Sequence, residues 1–235
     1  MAARGSRRGE AGSAASRGIG TKVMICVLAA LMAASLLVPS LASIFSSASS
    51  SDAAPSEGAA SAAAGQGTVA AVDATYEDAV AELEADLEES PDDLATLLNL
   101  GDACSAWAYN ASEAATTDEE LAHASELYGR AAGYYERYLA LKDSDAVVVS
   151  HATALFGQGD AEGAIAELEQ RAQGEGADYP PLFVTLGLLY ETVGDAGRAE
   201  EAYSRAAELD PDDEYGARTT AEERLSALSG GASAG

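Results

Sequence analysis

Residues 180–213 read PPLFVTLGLLYETVGDAGRAEEAYSRAAELDPDD, the pattern of two helices joined by a tight turn. The first helix is expected over 181–193. Gly194-Asp195 turns the chain, because glycine accepts the left-handed conformation that ends one helix and aspartate caps the start of the next. The second helix is expected over 196–209, with Pro211 stopping it. Gly187 and Ala199 are small, as a close crossing of two antiparallel helices requires. Phe183, Tyr190 and Tyr203 fill the space around that crossing.

The same unit recurs upstream in weaker form. Gly159-Asp160 followed by Ala164 repeats Gly194-Asp195 followed by Ala199 at an offset of 35. Phe156 and Leu168 take core positions there, His151-Ala152 replaces Leu186-Gly187, and the terminal proline is shifted to Pro180. This degenerate unit covers 145–179. Before it, Leu97, Leu100-Gly101 and Cys104 mark a first helix, and Arg130-Ala131 to Tyr135 to Leu141 parallels Arg198-Ala199 to Tyr203 to Leu209. Gly101 to Ala131 is a step of 30, whereas Gly187 to Ala199 is a step of 12, so about 18 residues are inserted. Thr117 and Glu120 form a capping box that opens a long helix. Its apolar positions Leu121, Ala124, Leu127, Ala131, Tyr134, Tyr138 and Leu141 step by three and four. This hairpin is therefore longer than its neighbours and is expected to protrude from the stack.

At the signature positions, residues 180–213 match the tetratricopeptide repeat (TPR): aromatic, Leu-Gly, Tyr, Ala, aromatic, Ala and Pro in order. The chain resembles that family over about 73–229, most closely in its last unit. The resemblance implies an all-α fold, a helix-turn-helix repeat solenoid of about three units. Terminal repeats of such arrays need polar caps. Tyr76, Ala79, Val80, Leu83 and Leu87, in a helix ending before Pro91, supply one. Ala217, Ala221, Leu225 and Leu228 supply the other. Residues 230–235 read as a loose tail.

Charge is divided unevenly. Residues 1–45 carry five basic side chains and one acid, whereas the remainder carries eight basic and 38 acidic residues. Such a field disfavours nucleic acid and anionic headgroups. Val23 to Val38 is an apolar run resuming at Leu41 to Phe45, so 22–45 is long enough to cross a hydrocarbon core of about 30 Å. Basic residues precede it and none follows until Arg130, which places 1–21 in the cytoplasm and the rest outside it, anchored by a single pass. The competing reading is a cleaved signal peptide with Ser40-Leu41-Ala42 at the cleavage site and a secreted domain. Residues 46–72, nearly all Ser, Ala and Gly, read as a flexible tether with a reach of about 25–30 Å.

No catalytic, cofactor or metal site is expected. His123 lies among acids and His151 stands at a core position, too few ligands for zinc. Asp210 to Glu214 lacks the glycine spacing and terminal glutamate of a calcium loop. Cys104 reads as a buried apolar filler. Asn110-Ala111-Ser112 matches a glycosylation sequon.

The TPR resemblance implies a groove lined by the first helices of the units. Its positions fall on Leu98, Asp102 and Ser105, then Val149 and Thr153, then Val184, Leu188 and Glu191. This face is apolar and acidic, without the family's clamp of Lys, Asn and Arg for a carboxylate tail. The expected function is a membrane-anchored scaffold whose groove takes a basic or apolar protein segment during assembly of an extracytoplasmic complex. Two alternatives remain: a client-holding factor like the TPR proteins of cytochrome c maturation, and a structural membrane protein that self-associates.

Overall fold

The computed structural model describes residues 67–232. The proposed membrane segment 22–45, residues 1–21, most of the tether and the last three residues lie outside that range. Among the described residues, no helix is long and apolar enough to cross a membrane.

The described residues form helices α1 (Val69–Glu89), α2 (Leu94–Ala114), α3 (Asp118–Leu141), α4 (Asp145–Gln158), α5 (Ala161–Ala172), α6 (Pro180–Thr192), α7 (Ala196–Leu209) and α8 (Ala217–Ala232). They pack as successive antiparallel hairpins, α2 with α3, α4 with α5 and α6 with α7, between caps α1 and α8. This is a TPR-like helical repeat solenoid.

Local chemistry sets the helix ends. Gly194 has φ 84° and Gly159 has φ 105°. Asp195 N–H returns to the Tyr190 carbonyl at 2.8 Å, and Asp160 N–H to that of Leu155 at 2.9 Å, so both turns satisfy the carbonyls left over at a helix end. The same aspartates then cap the following helices, Asp195 accepting from Arg198 N–H and Asp160 from Gly163 N–H. The Thr117–Glu120 capping box is formed in both directions. Asp210 is buried, and its Oδ2 accepts the N–H groups of Tyr215 and Ala217, each at 3.0 Å, fixing the start of α8.

Size complementarity registers each hairpin. Gly101 faces the ring of Tyr135, and Gly187 faces that of Tyr203. At the equivalent positions the middle hairpin has Ala152 and Leu168, both fully buried. A larger residue on one helix thus accompanies a smaller one on the other. Ala131, Ala164 and Ala199, four residues before the large member of each pair, are fully buried too. Burying each large side chain contributes on the order of 1.5–3 kcal/mol. Two apolar clusters result, one over α1–α3 joined by Val147 and Ala154 of α4 and one over α4–α8, and Leu139 and Leu155 pack against both.

Several expectations need correction. α1 begins at Val69, four residues inside the segment read as tether, because Val69 is buried and Val72 packs on the core. α8 runs on to Ala232, past the expected end at 229. Ala79 is exposed, so the buried stripe of α1 is narrower than its sequence suggests. On α3, Leu121 and Leu141 are exposed, and Tyr135 takes the central buried place. Phe183 is only half-buried, with the Arg205 guanidinium 5.8 Å from its ring centre.

The long hairpin is not a free projection. Its extra length goes into the helices: α2 has 21 residues against 13 in α6, and α3 has 24 against 14 in α7. α1 covers the extension. Tyr76 stacks on Trp107 at 6.2 Å, and Asp73 accepts from Trp107 Nε1 at 2.7 Å and lies 3.0 Å from His123 Nε2. The Arg130 guanidinium lies 5.5 Å from the Trp107 ring centre and pairs with Glu84 at 2.9 Å.

Candidate functional site

The first helices of the hairpins, α2, α4 and α6, lie side by side, with α8 continuing the row. Leu98, Asp102 and Ser105 are spaced by four and three along α2, one face of a helix. Val149 and Thr153 do the same on α4, and Val184, Leu188 and Glu191 on α6. Leu188 is 37% exposed, while Leu98, Val149 and Val184 are half-buried and pack against the clusters beneath them. The residues assigned to a groove from the sequence therefore divide into exposed tips and partly packed flanks.

The two groove acids differ. Glu191 is already engaged: Arg224 donates from Nη2 to Oε1 at 2.5 Å and from Nε to Oε2 at 3.1 Å, and Tyr203 Oη donates to Oε2 at 2.8 Å. The Arg224 hydrogen bonds hold the Glu191 carboxyl below the usual carboxylate range. Asp102 has no such partner. Its Oδ1 accepts from the Tyr135 hydroxyl at 2.8 Å, and it makes no ion pair among the described residues. Asp102 reaches solvent, yet the surrounding helices remove enough water to push its carboxyl pKa up, a shift the Tyr135 hydrogen bond only partly offsets.

Tyr135 is the hub of this corner. Its hydroxyl lies 3.4 Å from Ser105 Oγ, and Ser150 of α4 interacts with it through its side chain. Buried under Gly101, the Tyr135 phenol is pushed well above its ordinary pKa and stays a neutral donor. Sequence reasoning missed Tyr135, Ser150, Tyr203 and Arg224 as members of this face. The two tyrosines were legible as the large residues opposite Gly101 and Gly187, but their hydroxyls emerge on the groove side. Arg224 comes 34 residues after Tyr190 and joins the face because α8 packs as the first helix of a further unit.

The remaining polar residues serve joints within the fold. His151 Nδ1 lies 2.8 Å from Glu167 Oε2 and ties α4 to α5. Arg171 pairs with Asp143, Asp145 and Glu175, clamping the end of α5 to the start of α4. Asn110 of the sequon sits within α2 and donates through Nδ2 to Tyr76 Oη at 3.0 Å and to the Ala106 carbonyl at 2.7 Å. Cys104 is fully buried, and burial pushes its thiol up to about 11. Among the described residues, no group of three or more His, Cys, Asp or Glu is placed to hold a metal ion.

No protein-family model matches the sequence, and no curated protein matches it. Solved structures do resemble it. A thermophilic TPR protein from Thermus thermophilus, TTC0263, superposes with a TM-score of 0.52 at 18% identity, over 66% of this chain and 73% of that one. The crystal structure of MamA aligns at a TM-score of 0.44 and 20% identity, over 65% of this chain and 86% of that one. The likeness to TTC0263 is one of fold.

Proposed function

We propose that this chain is a protein-interaction scaffold, anchored in a membrane through residues 22–45, whose α2–α4–α6 face receives a segment of a partner protein outside the cytoplasm. The observation that carries this reading is the face itself. Three stacked helices present Leu98, Val149, Val184 and Leu188 in a row, with Leu188 still 37% exposed. Apolar tips flanked by polar residues suit an extended or helical segment with apolar anchors. Asp102 and the strongly acidic domain around it favour a basic rather than an acidic partner. The anchor rests on the apolar run, its basic flank and the absence of Lys or Arg between 23 and 129.

In-cell crosslinking from a photoreactive residue at position 188, followed by mass spectrometry, tests the face. One dominant adduct, lost when Val184→Glu is introduced, is the expected result. Crosslinks only to a second copy would replace the scaffold reading with self-association, and no adduct at all would reject the face. A periplasm-type activity reporter fused after residue 72 tests the topology. An inactive but stably produced fusion would overturn the placement outside the cytoplasm, and active reporter released from the membrane fraction would overturn the anchor.

A further inference from the structure

We infer that Asp102, on α2 and hydrogen-bonded to the hydroxyl of Tyr135, is the anchor for a lysine or arginine side chain of the partner segment. The inference rests on the groove reading above and narrows it to one contact.

Charge complementarity within the face carries the argument. Two carboxylates lie on it, each accepting a hydrogen bond from a buried tyrosine hydroxyl, Tyr135 to Asp102 and Tyr203 to Glu191, both at 2.8 Å. At the C-terminal end α8 completes the arrangement by placing the Arg224 guanidinium on Glu191. At Asp102 the tyrosine is present and, among the described residues, no cation pairs with it. The next first helix, α4, brings Ser150 to the Tyr135 hydroxyl and carries no lysine or arginine. Arg224 on Glu191 thus shows within the molecule the group that Asp102 lacks.

The neighbourhood also excludes alternatives. Asp102 Oδ1 is held by Tyr135, and no described residue donates to Oδ2. A metal ion would want several ligands, and no group of three or more such residues is assembled among the described residues. An anionic ligand would be repelled by the Asp102 carboxylate and by the acidic domain around it. A cation supplies the ion-pair partner that Asp102 does not have among the described residues, and the aliphatic stem of lysine or arginine suits Leu98, one turn away on α2. A partly desolvated, charge-assisted hydrogen bond of this kind is worth about tenfold or more in affinity.

The test uses the full chain kept in solution with a non-ionic detergent, the detergent alone serving as blank. The probe is a short fluorescein-labelled peptide of alternating valine and lysine, with a twin in which every lysine is glutamine. Anisotropy should show the lysine probe binding at least about tenfold more tightly than its twin. Asp102→Asn should erase that preference, while Glu200→Gln, which removes one charge from the exposed side of α7, should leave it. Asparagine keeps an acceptor for Tyr135, so thermal melting of Asp102→Asn at or above wild type shows that the loss is not unfolding. If Asp102→Asn keeps the full lysine preference while Val149→Asn weakens both probes, the groove stands and the anchor is wrong. If both probes bind Val149→Asn and Asp102→Asn as they bind wild type, the docking face lies elsewhere and both readings fall.

Discussion

A β-carbon at position 187 would stand 2.5 Å from Cε1 of Tyr203, closer than any real contact allows, so the ring of Tyr203 occupies the space that glycine leaves empty. The same holds between Gly101 and the ring of Tyr135. The middle hairpin, with Ala152 and Leu168 in these places, shows how a smaller large residue admits a larger small one.

That relationship predicts a coupled pair. Gly187→Ala should destabilise the domain by about 1–3 kcal/mol through overpacking against the Tyr203 ring. Combined with Tyr203→Leu, which copies the middle hairpin, its penalty should shrink by at least about 0.5 kcal/mol, the size of coupling expected between touching residues. Urea unfolding of the four proteins of the cycle measures this. Strictly additive penalties would mean that the two residues do not define the hairpin register.

Asp102 should cost stability at neutral pH. Its folded pKa is raised, so the folded state holds the proton more firmly than the unfolded chain. The penalty grows as pH rises from the unfolded value of about 3.9 through the raised folded one, is complete above it, and is absent below both. Tyr135 is the only titratable group hydrogen-bonded to it among the described residues, and it stays neutral throughout. Asp102→Asn should therefore melt above wild type at pH 7, with the difference vanishing near pH 3.5. A variant that melts lower at pH 7 would show the carboxylate to be structural.

The chain has one tryptophan, Trp107, almost wholly buried where α1 crosses the long hairpin. Asp73→Ala removes the acceptor of its indole N–H. A buried donor left unpaired costs about 1–3 kcal/mol. The variant should melt lower, and the tryptophan emission should shift to longer wavelength as α1 loosens. Unchanged emission would place the docking energy of α1 in the Val80 and Leu87 contacts instead.

Cys104 should be inert while the domain is folded. A thiol pushed up to about 11 carries roughly a hundredfold less thiolate near pH 8 than an unperturbed one, and its sulfur is enclosed. In a Cys26→Ser background, labelling by a disulfide reagent should follow unfolding of α2 and accelerate in step with denaturant. Labelling at the rate of a free small thiol in native buffer would contradict its burial.

Features that depend on a few neighbouring residues are legible in the sequence. The span 196–209 of α7, the Gly194-Asp195 turn and the Thr117–Glu120 box are all of this kind, because a cap or left-handed turn is satisfied by atoms at most five residues away. The groove positions on α2, α4 and α6 follow from helical spacing once the repeat is recognised. Their chemical character does not. Glu191 is neutralised by a residue 33 positions later, Asp102 is held by one 33 positions later, and Trp107 is covered by a helix that begins inside what reads as tether. Such contacts exist only after the hairpins stack, since burial and ion pairing are set by which helices become neighbours. Two acids that look alike in sequence therefore become one carboxylate paired with an arginine and one with no ion pair among the described residues, through tertiary packing alone.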